Sequence, residues 1–345
     1  MAIRRLVLLS VCLMFSQMAL SSIRPMTSYR LLALGESIAA IGWISALTAF
    51  APLVLALPSG RVAARGFAAW VGVVGSLIFT VGCLGLSWGT AFAELAWASV
   101  LLGAGNVGQM VAFQTLIASE TAEVDYDRNY GWYAAGASLG QLIGPLVGTR
   151  AFELMGGGLE GTTIANLIST GGAAVGLVLS LLLLVGARSA RAAHTLAPDG
   201  RQASVREALA HPGAVPSIYV SMIIIAAIDL ISVYLPVLGD EKGWSAGFVG
   251  LLLVIRAGCS VLSRLVLGLL CRLASRQMIL LVTVSITAVL CALVPATGPQ
   301  VALIVLMAIM GLTMGVGQPM GMAWTVAAVP ADARSTAIAL RLIGN

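Results

Sequence analysis

Ten apolar runs, each long enough to cross a bilayer as a helix, constrain this chain more than any motif in it. They fall at 6–23, 33–57, 67–88, 93–117, 131–153, 163–186, 217–238, 246–270, 277–296 and 300–328. A helix needs about 20 predominantly apolar residues to span the hydrocarbon core. Only helices and closed barrels satisfy their own backbone groups there. The expected fold class is therefore an all-α membrane protein. Composition agrees: 59% of the 345 residues are hydrophobic and 10% are charged, whereas soluble domains carry about 25% charged residues. So few charges cannot cover a water-facing surface. An eleventh run opens near Ser335, and the chain ends at Asn345 before that run can cross.

The first run imitates a signal peptide, with Arg4 and Arg5, an apolar stretch and then small residues. Because many spans come after it, we read it as an uncleaved helix with the N-terminus in the cytoplasm. Twelve arginines then fall on the cytoplasmic side: Arg4, Arg5, Arg61, Arg65, Arg128, Arg188, Arg191, Arg201, Arg206, Arg272, Arg276 and Arg334. Arg24, Arg30, Arg150 and Lys242 fall outside, so the bias obeys the positive-inside rule. The net charge of +5 is thus a topology signal, and no nucleic-acid partner is expected. The expected setting is a multi-pass protein of a bacterial-type cytoplasmic (inner) membrane, with the lipid bilayer as its standing partner. The five cysteines lie in apolar runs without CxxC spacing and read as buried thiols.

The longest polar stretch, 187–216, holds both histidines and several arginines and prolines. Within it, Ser204 to Glu207 fits a capping box and predicts a short surface helix at 204–211. The chain therefore divides into a six-helix half (1–186), a cytoplasmic linker (187–216) and a second half (217–345). An internal repeat supports two halves. Val107-Gly108-Gln109 recurs as Val316-Gly317-Gln318, 209 residues on. Gly60 and Arg65 are matched by Gly268 and Arg272, and Arg128 by Arg334, at similar offsets. A constant offset in the same order is the mark of parallel repeats. Two complete halves would need about 400 residues and twelve helices, so this chain is expected to lack most of helix eleven and all of helix twelve.

Residues 131–149, GWYAAGASLGQLIGPLVGT, place Gly131, Gly140, Gly144, Pro145 and Gly148 in the pattern G-x8-G-x3-GP-x2-G. Glycines every four residues lie on one helix face and let another backbone approach. Pro145 removes a backbone donor and bends the helix. The pattern resembles the fifth-helix signature of exporters in the major facilitator superfamily. LPSGRVAARG at 57–66 is similar to that family's loop motif between helices two and three, with Gly60 and Arg65 at its glycine and basic positions. The acidic residue that precedes this arginine in the family is Ala64 here. Gly103-Ala104-Gly105 matches a fourth-helix feature, but the arginine linked to proton coupling is Ser99, and the last glycine of the fifth-helix pattern is Thr149. ARSTAIALRLIGN at 333–345 resembles the start of an eleventh helix. The resemblance implies a two-half helical bundle. It also implies a secondary active transporter of a small-molecule solute, with protons as coupling partner and efflux by antiport. Uptake of a metabolite, or a non-functional fragment of such a transporter, are the alternatives.

Some residues stand out without the resemblance. Asp229 and Arg256 lie about 15 Å from the same membrane face. A charge at that depth faces a cavity or a partner. They read either as an anion-binding or proton-responsive pair or as a structural ion pair. Gln109, Gln318, Asn106 and Trp324 offer hydrogen bonds and stacking to a solute, or else bonds between helices. Gly311, Gly315, Gly317, Gly321 and Pro319 suit a bending gate helix or close packing. Arg341 is a further cavity charge, whereas Arg264 snorkels. Glu36, Glu94, Arg24, Tyr29 and Arg30 read as interfacial solvation or anchors. With both histidines in the linker and no HExxH, GxSxG or GxxxxGK[ST], no metal site, cofactor or enzyme activity is expected, and energy must come from a gradient or from a partner.

Overall fold

A computed structural model describes residues 3–120, 126–187, 210–211, 213–273 and 275–327. The described residues form ten α-helices and one π-helical turn, without a strand. The helices are α1 (Ile3–Ala33), α2 (Ile38–Val62), α3 (Ala68–Trp88), α4 (Phe92–Glu120), α5 (Tyr126–Leu154) and α6 (Gly158–Ala187), then α7 (Ala214–Glu241), α8 (Ala246–Leu273), α9 (Arg276–Ala296) and α10 (Gln300–Ala327). Nine of these are long and apolar enough to cross a membrane, all but α5. The chain divides into two compact units, residues 1–200 and 201–345.

In the first unit α1 is the central helix. It packs on α5 along one side and on α6 along the other, while α3 packs on α4 and α6, and α2 on α4. The segment that imitates a signal peptide is thus a core helix of this unit. In the second unit α10 is central and packs on α8, α9 and α7. Ile231 and Leu235 of α7, Leu252 and Leu253 of α8, Leu290 and Val294 of α9, and Met307 and Met310 of α10 share one apolar cluster.

Between helices lipid supplies no hydrophobic drive, so close packing and hydrogen bonds must hold them. The α1–α5 contact shows how. Gly136, Gly140, Gly144 and Gly148 lie in turn against Ser10, Met14 and Gln17, Ser21 and Met18, and Ser22 of α1. A Cβ added to Gly140 would fall 2.8 Å from the Met18 amide nitrogen and 2.9 Å from Gln17 Cβ. Ser21 Oγ donates to the Gln17 carbonyl at 2.7 Å. Ser22 and Ser169 join α1 to α6 at 2.8 Å.

Exposed tryptophans frame the unit. Trp43, Trp88 and Trp97 stand near the end where α1 meets α2, and Trp70 and Trp132 near the opposite end. Trp70 and Trp88 are about 27 Å apart along α3, close to the roughly 30 Å hydrocarbon thickness.

The structure corrects two boundaries. The family-like motif at 57–66 does not form a loop. Instead α2 runs through Gly60 to Val62 and passes into a π-helical turn, Ala63–Phe67. Gly66 in that turn has φ +90, a left-handed backbone that glycine takes without steric cost, and it redirects the chain into α3. Arg65 is exposed there. Likewise the outer loop expected after residue 23 is helical to Ala33, which places Arg24, Tyr29 and Arg30 inside α1.

Candidate functional site

Arg30 is 2% exposed and is the largest fully buried side chain among the described residues, so it is not an interfacial anchor. Its Nε donates to the Gly89 carbonyl at 2.7 Å, and Nη1 donates to Thr163 Oγ1 at 2.9 Å and Thr162 Oγ1 at 3.3 Å. Both threonine hydroxyls donate to the Leu159 carbonyl, leaving lone pairs for the guanidinium. Gly89 caps the C-terminus of α3, and Arg30 itself lies in the last turn of α1. Two negative helix poles therefore offset its charge. Glu94 Oε2 accepts from the amides of Thr90 at 2.9 Å and Ala91 at 3.2 Å and caps α4. In the second unit Lys242 Nζ donates to the carbonyls of Pro295 at 2.6 Å and Thr297 at 3.2 Å, capping the C-terminus of α9. These charges secure helix ends.

The middle of the helices holds different chemistry. Asp229 is half-buried on α7, and Arg256 is 8% exposed on α8. Their neighbours Ile228 and Ile255 pack on the same four-helix cluster, so the structure brings both turns into one core. The Arg256 turn is fixed by α10, because Gly311 lies against the Arg256 carbonyl. The first unit repeats that contact: Gly103 of α4 lies against the Thr48 carbonyl of α2. Both partners are displaced by 208 residues, close to the offset of the sequence repeat. By the same offset Asp229 corresponds to Ser21. Small hydroxyls in the first unit thus stand where the second carries a carboxylate and a guanidinium.

In α4, Asn106 is half-buried, with Nδ2 3.9 Å from Met110 Sδ. It lies roughly 180° around the helix from the exposed Trp97. Gln109 is 2% exposed, and among the described residues its Oε1 accepts no hydrogen bond. Its backbone is pressed on α3, where a Cβ on Gly75 would come within 2.8 Å of its amide nitrogen. Trp324 packs with Ile224, Ile279, Leu280, Val316 and Met320, in a second cluster that shares Ile228 with the one around the Asp229 and Arg256 turns. The side chains of Gln318 and Pro319, the position of Arg341 and the start of an eleventh helix lie outside the described residues. So do most of the linker and the surface helix expected at 204–211.

One midplane contact was absent from the sequence-based expectations. Gln141 Nε2 of α5 donates to Gln17 Oε1 of α1 at 3.3 Å. Gln141 sits beside Gly140 inside the glycine–proline pattern, where the glycines dominate the motif. Gln17 lies in the signal-like segment, where a lone amide in a span was the available signal.

The sequence profile of the Major Facilitator Superfamily matches residues 9–345. No curated protein sequence matches the chain. Among solved structures, a POT family transporter in complex with 5-aminolevulinic acid is similar at 15% identity and TM-score 0.76, with 99% of this chain and 88% of that one covered. A bacterial homolog to the human lysosomal transporter Spinster, inward-facing and unoccupied, aligns at 15% identity and TM-score 0.75, over 99% of this chain and 80% of its own. The nucleoside transporter NupG, as a D323A mutant, aligns at 15% identity and TM-score 0.74, over 99% and 87%.

Proposed function

Since the chain belongs to the Major Facilitator Superfamily, we propose that it is a secondary active transporter that moves a small organic solute by alternating access. The observation that carries this reading is a family match over nearly the whole chain. Transporters of this kind bind solute near the bilayer midplane and expose that site to each side in turn.

We further propose that Asp229 and Arg256 serve coupling, with protons as the coupling ion. A charge at membrane depth is costly and tends to mark an ion or proton pathway, and both residues lie at that depth on turns that pack on one core. Export is favoured over uptake by the likeness of 131–149 to an exporter signature. Two of the solved neighbours are described in complex with 5-aminolevulinic acid and as a nucleoside transporter. At 15% identity these solutes do not carry over to this chain.

Counterflow of labelled solutes in proteoliposomes tests the transporter reading, because exchange requires a transport cycle. A receptor or enzyme would bind solute without exchange. Asp229→Asn and Arg256→Ala should each lower accumulation driven by a pH gradient by tenfold or more, about 1.4 kcal/mol, with membrane insertion intact. Unchanged accumulation in both would remove these residues from the mechanism.

A further inference from the structure

We propose that the Gln17–Gln141 amide pair is a solute-selecting site of the first unit. It recognises a neutral group that both donates and accepts hydrogen bonds, the chemistry of a hydroxyl or a carboxamide. The proposal rests on the transporter reading and names part of its solute site.

Depth comes first. Gln141 is nine residues from Trp132, whose exposed indole stands near one interface. Nine residues of helix rise about 14 Å, close to half of a roughly 30 Å hydrocarbon core.

The exposed stripe of α5 includes Trp132, Leu139 and Leu146. Gln141 lies roughly 160° around the helix from Leu139 and roughly 140° from Leu146. It therefore faces away from lipid, yet it is only half-buried. A primary amide bared to hydrocarbon at that depth would cost several kcal/mol, so the open side of Gln141 is a place for polar matter.

The pair is also held still. Gly140 leaves the room through which Gln17 passes, and Ser21 Oγ bonds both the Gln17 carbonyl at 2.7 Å and the Gly140 carbonyl at 3.3 Å. Gln17 itself is 6% exposed. These bonds fix the two backbones from which the amides project, and a polar group on a fixed backbone binds at a lower ordering cost. The amide–amide bond uses one N–H and one lone pair, which leaves donors and acceptors on both side chains for a third group. The nearest charges on these two helices are Arg24 and Arg150, seven and nine residues away in sequence. Neither Gln17 nor Gln141 has an ion beside it on its own helix to select for charge, so the complement is neutral and bifunctional. A pair serving only as interhelical glue would be worth roughly 1 kcal/mol and would be indifferent to the solute.

The test uses the full chain in proteoliposomes. Counterflow is measured for a panel of polyols, nucleosides, carboxylates and organic cations, with Gln17→Leu, Gln141→Leu and the near-isosteric Gln141→Met. We expect KM for hydroxyl- and carboxamide-bearing solutes to rise about tenfold, with kcat within about threefold, and the panel to re-rank toward less polar members. In parallel, Gln141→Cys in a background with the native cysteines replaced should react with a membrane-impermeant maleimide and be protected by the preferred solute. Wild-type exchange with unchanged KM and rank order in the variants, or labelling without protection, overturns the proposal alone. Absence of exchange for every solute in wild type overturns the transporter reading and this site with it.

Discussion

Arg30 shows how a single residue can reverse its meaning between sequence and structure. A hydropathy count stops at Arg24 and assigns the residues beyond it to a loop. The Arg30 guanidinium instead reaches three acceptors on other helices and their ends, and that network is what lets α1 continue to Ala33. Nothing local in the sequence announces these partners, because Gly89, Thr162 and Thr163 lie far away along the chain. The arrangement predicts an asymmetry between conservative variants. A lysine keeps the charge but cannot present donors in a planar fork to acceptors that diverge. Arg30→Lys should therefore destabilise the protein by about 2–4 kcal/mol, nearly as much as Arg30→Met. Thermal unfolding in detergent measures it. An Arg30→Lys protein as stable as wild type would mean that Arg30 acts only as a positive anchor.

At the scale of elements, the ten apolar runs each correspond to one helix, and for nine of them length and composition leave the backbone no alternative in lipid. The glycine face of α5 was legible for the same reason: a spacing of four residues survives any tertiary context. Its partner was not, since pairing with α1 depends on Ser10, Ser21 and Ser22, which read as ordinary small residues. The connection between α2 and α3 was also hidden. A motif with Pro58, Gly60 and Gly66 carries loop chemistry, but only Gly66 breaks the helix, by a left-handed φ that sequence does not display. Close packing on α1 makes a specific prediction for α5. Gly140→Leu places a side chain where a backbone nitrogen already stands at 2.8 Å, so the helices must part. The cost of such overpacking is about 1–3 kcal/mol or more. Leu139→Ala, one residue away on the exposed stripe, should cost little. Size-exclusion profiles and melting of the two variants compare them directly, and equal behaviour would show that the α1–α5 contact is not a constraint.

At the scale of the whole molecule, the two units share one packing rule and differ in charge. In each, the fourth helix after the start of the unit lies on its second and third helices. In each, a glycine of that fourth helix meets a backbone carbonyl at the same repeat position: Gly103 on Thr48 and Gly311 on Arg256. The contact uses backbone atoms, so the side chain at the carbonyl position is free to differ, and it is threonine in one unit and arginine in the other. The repeat was visible in the sequence through glycines and arginines. That it is built into a helix–helix contact was not, because a carbonyl acceptor leaves no residue signature. The repeat also identifies which neutral residues the second unit should tolerate. The double variant Asp229→Ser with Arg256→Thr installs the first unit's own choices at the corresponding places. If the charges serve coupling, this protein should insert, stay monodisperse and retain solute counterflow within about threefold, while uphill accumulation driven by a pH gradient falls at least tenfold, about 1.4 kcal/mol or more in the coupled step. If the charges are instead a structural pair, replacing both by compact hydroxyls should leave pH-driven accumulation in step with counterflow. Measuring the two activities on the same liposomes separates these outcomes, because counterflow needs only the conformational cycle and accumulation also needs the proton.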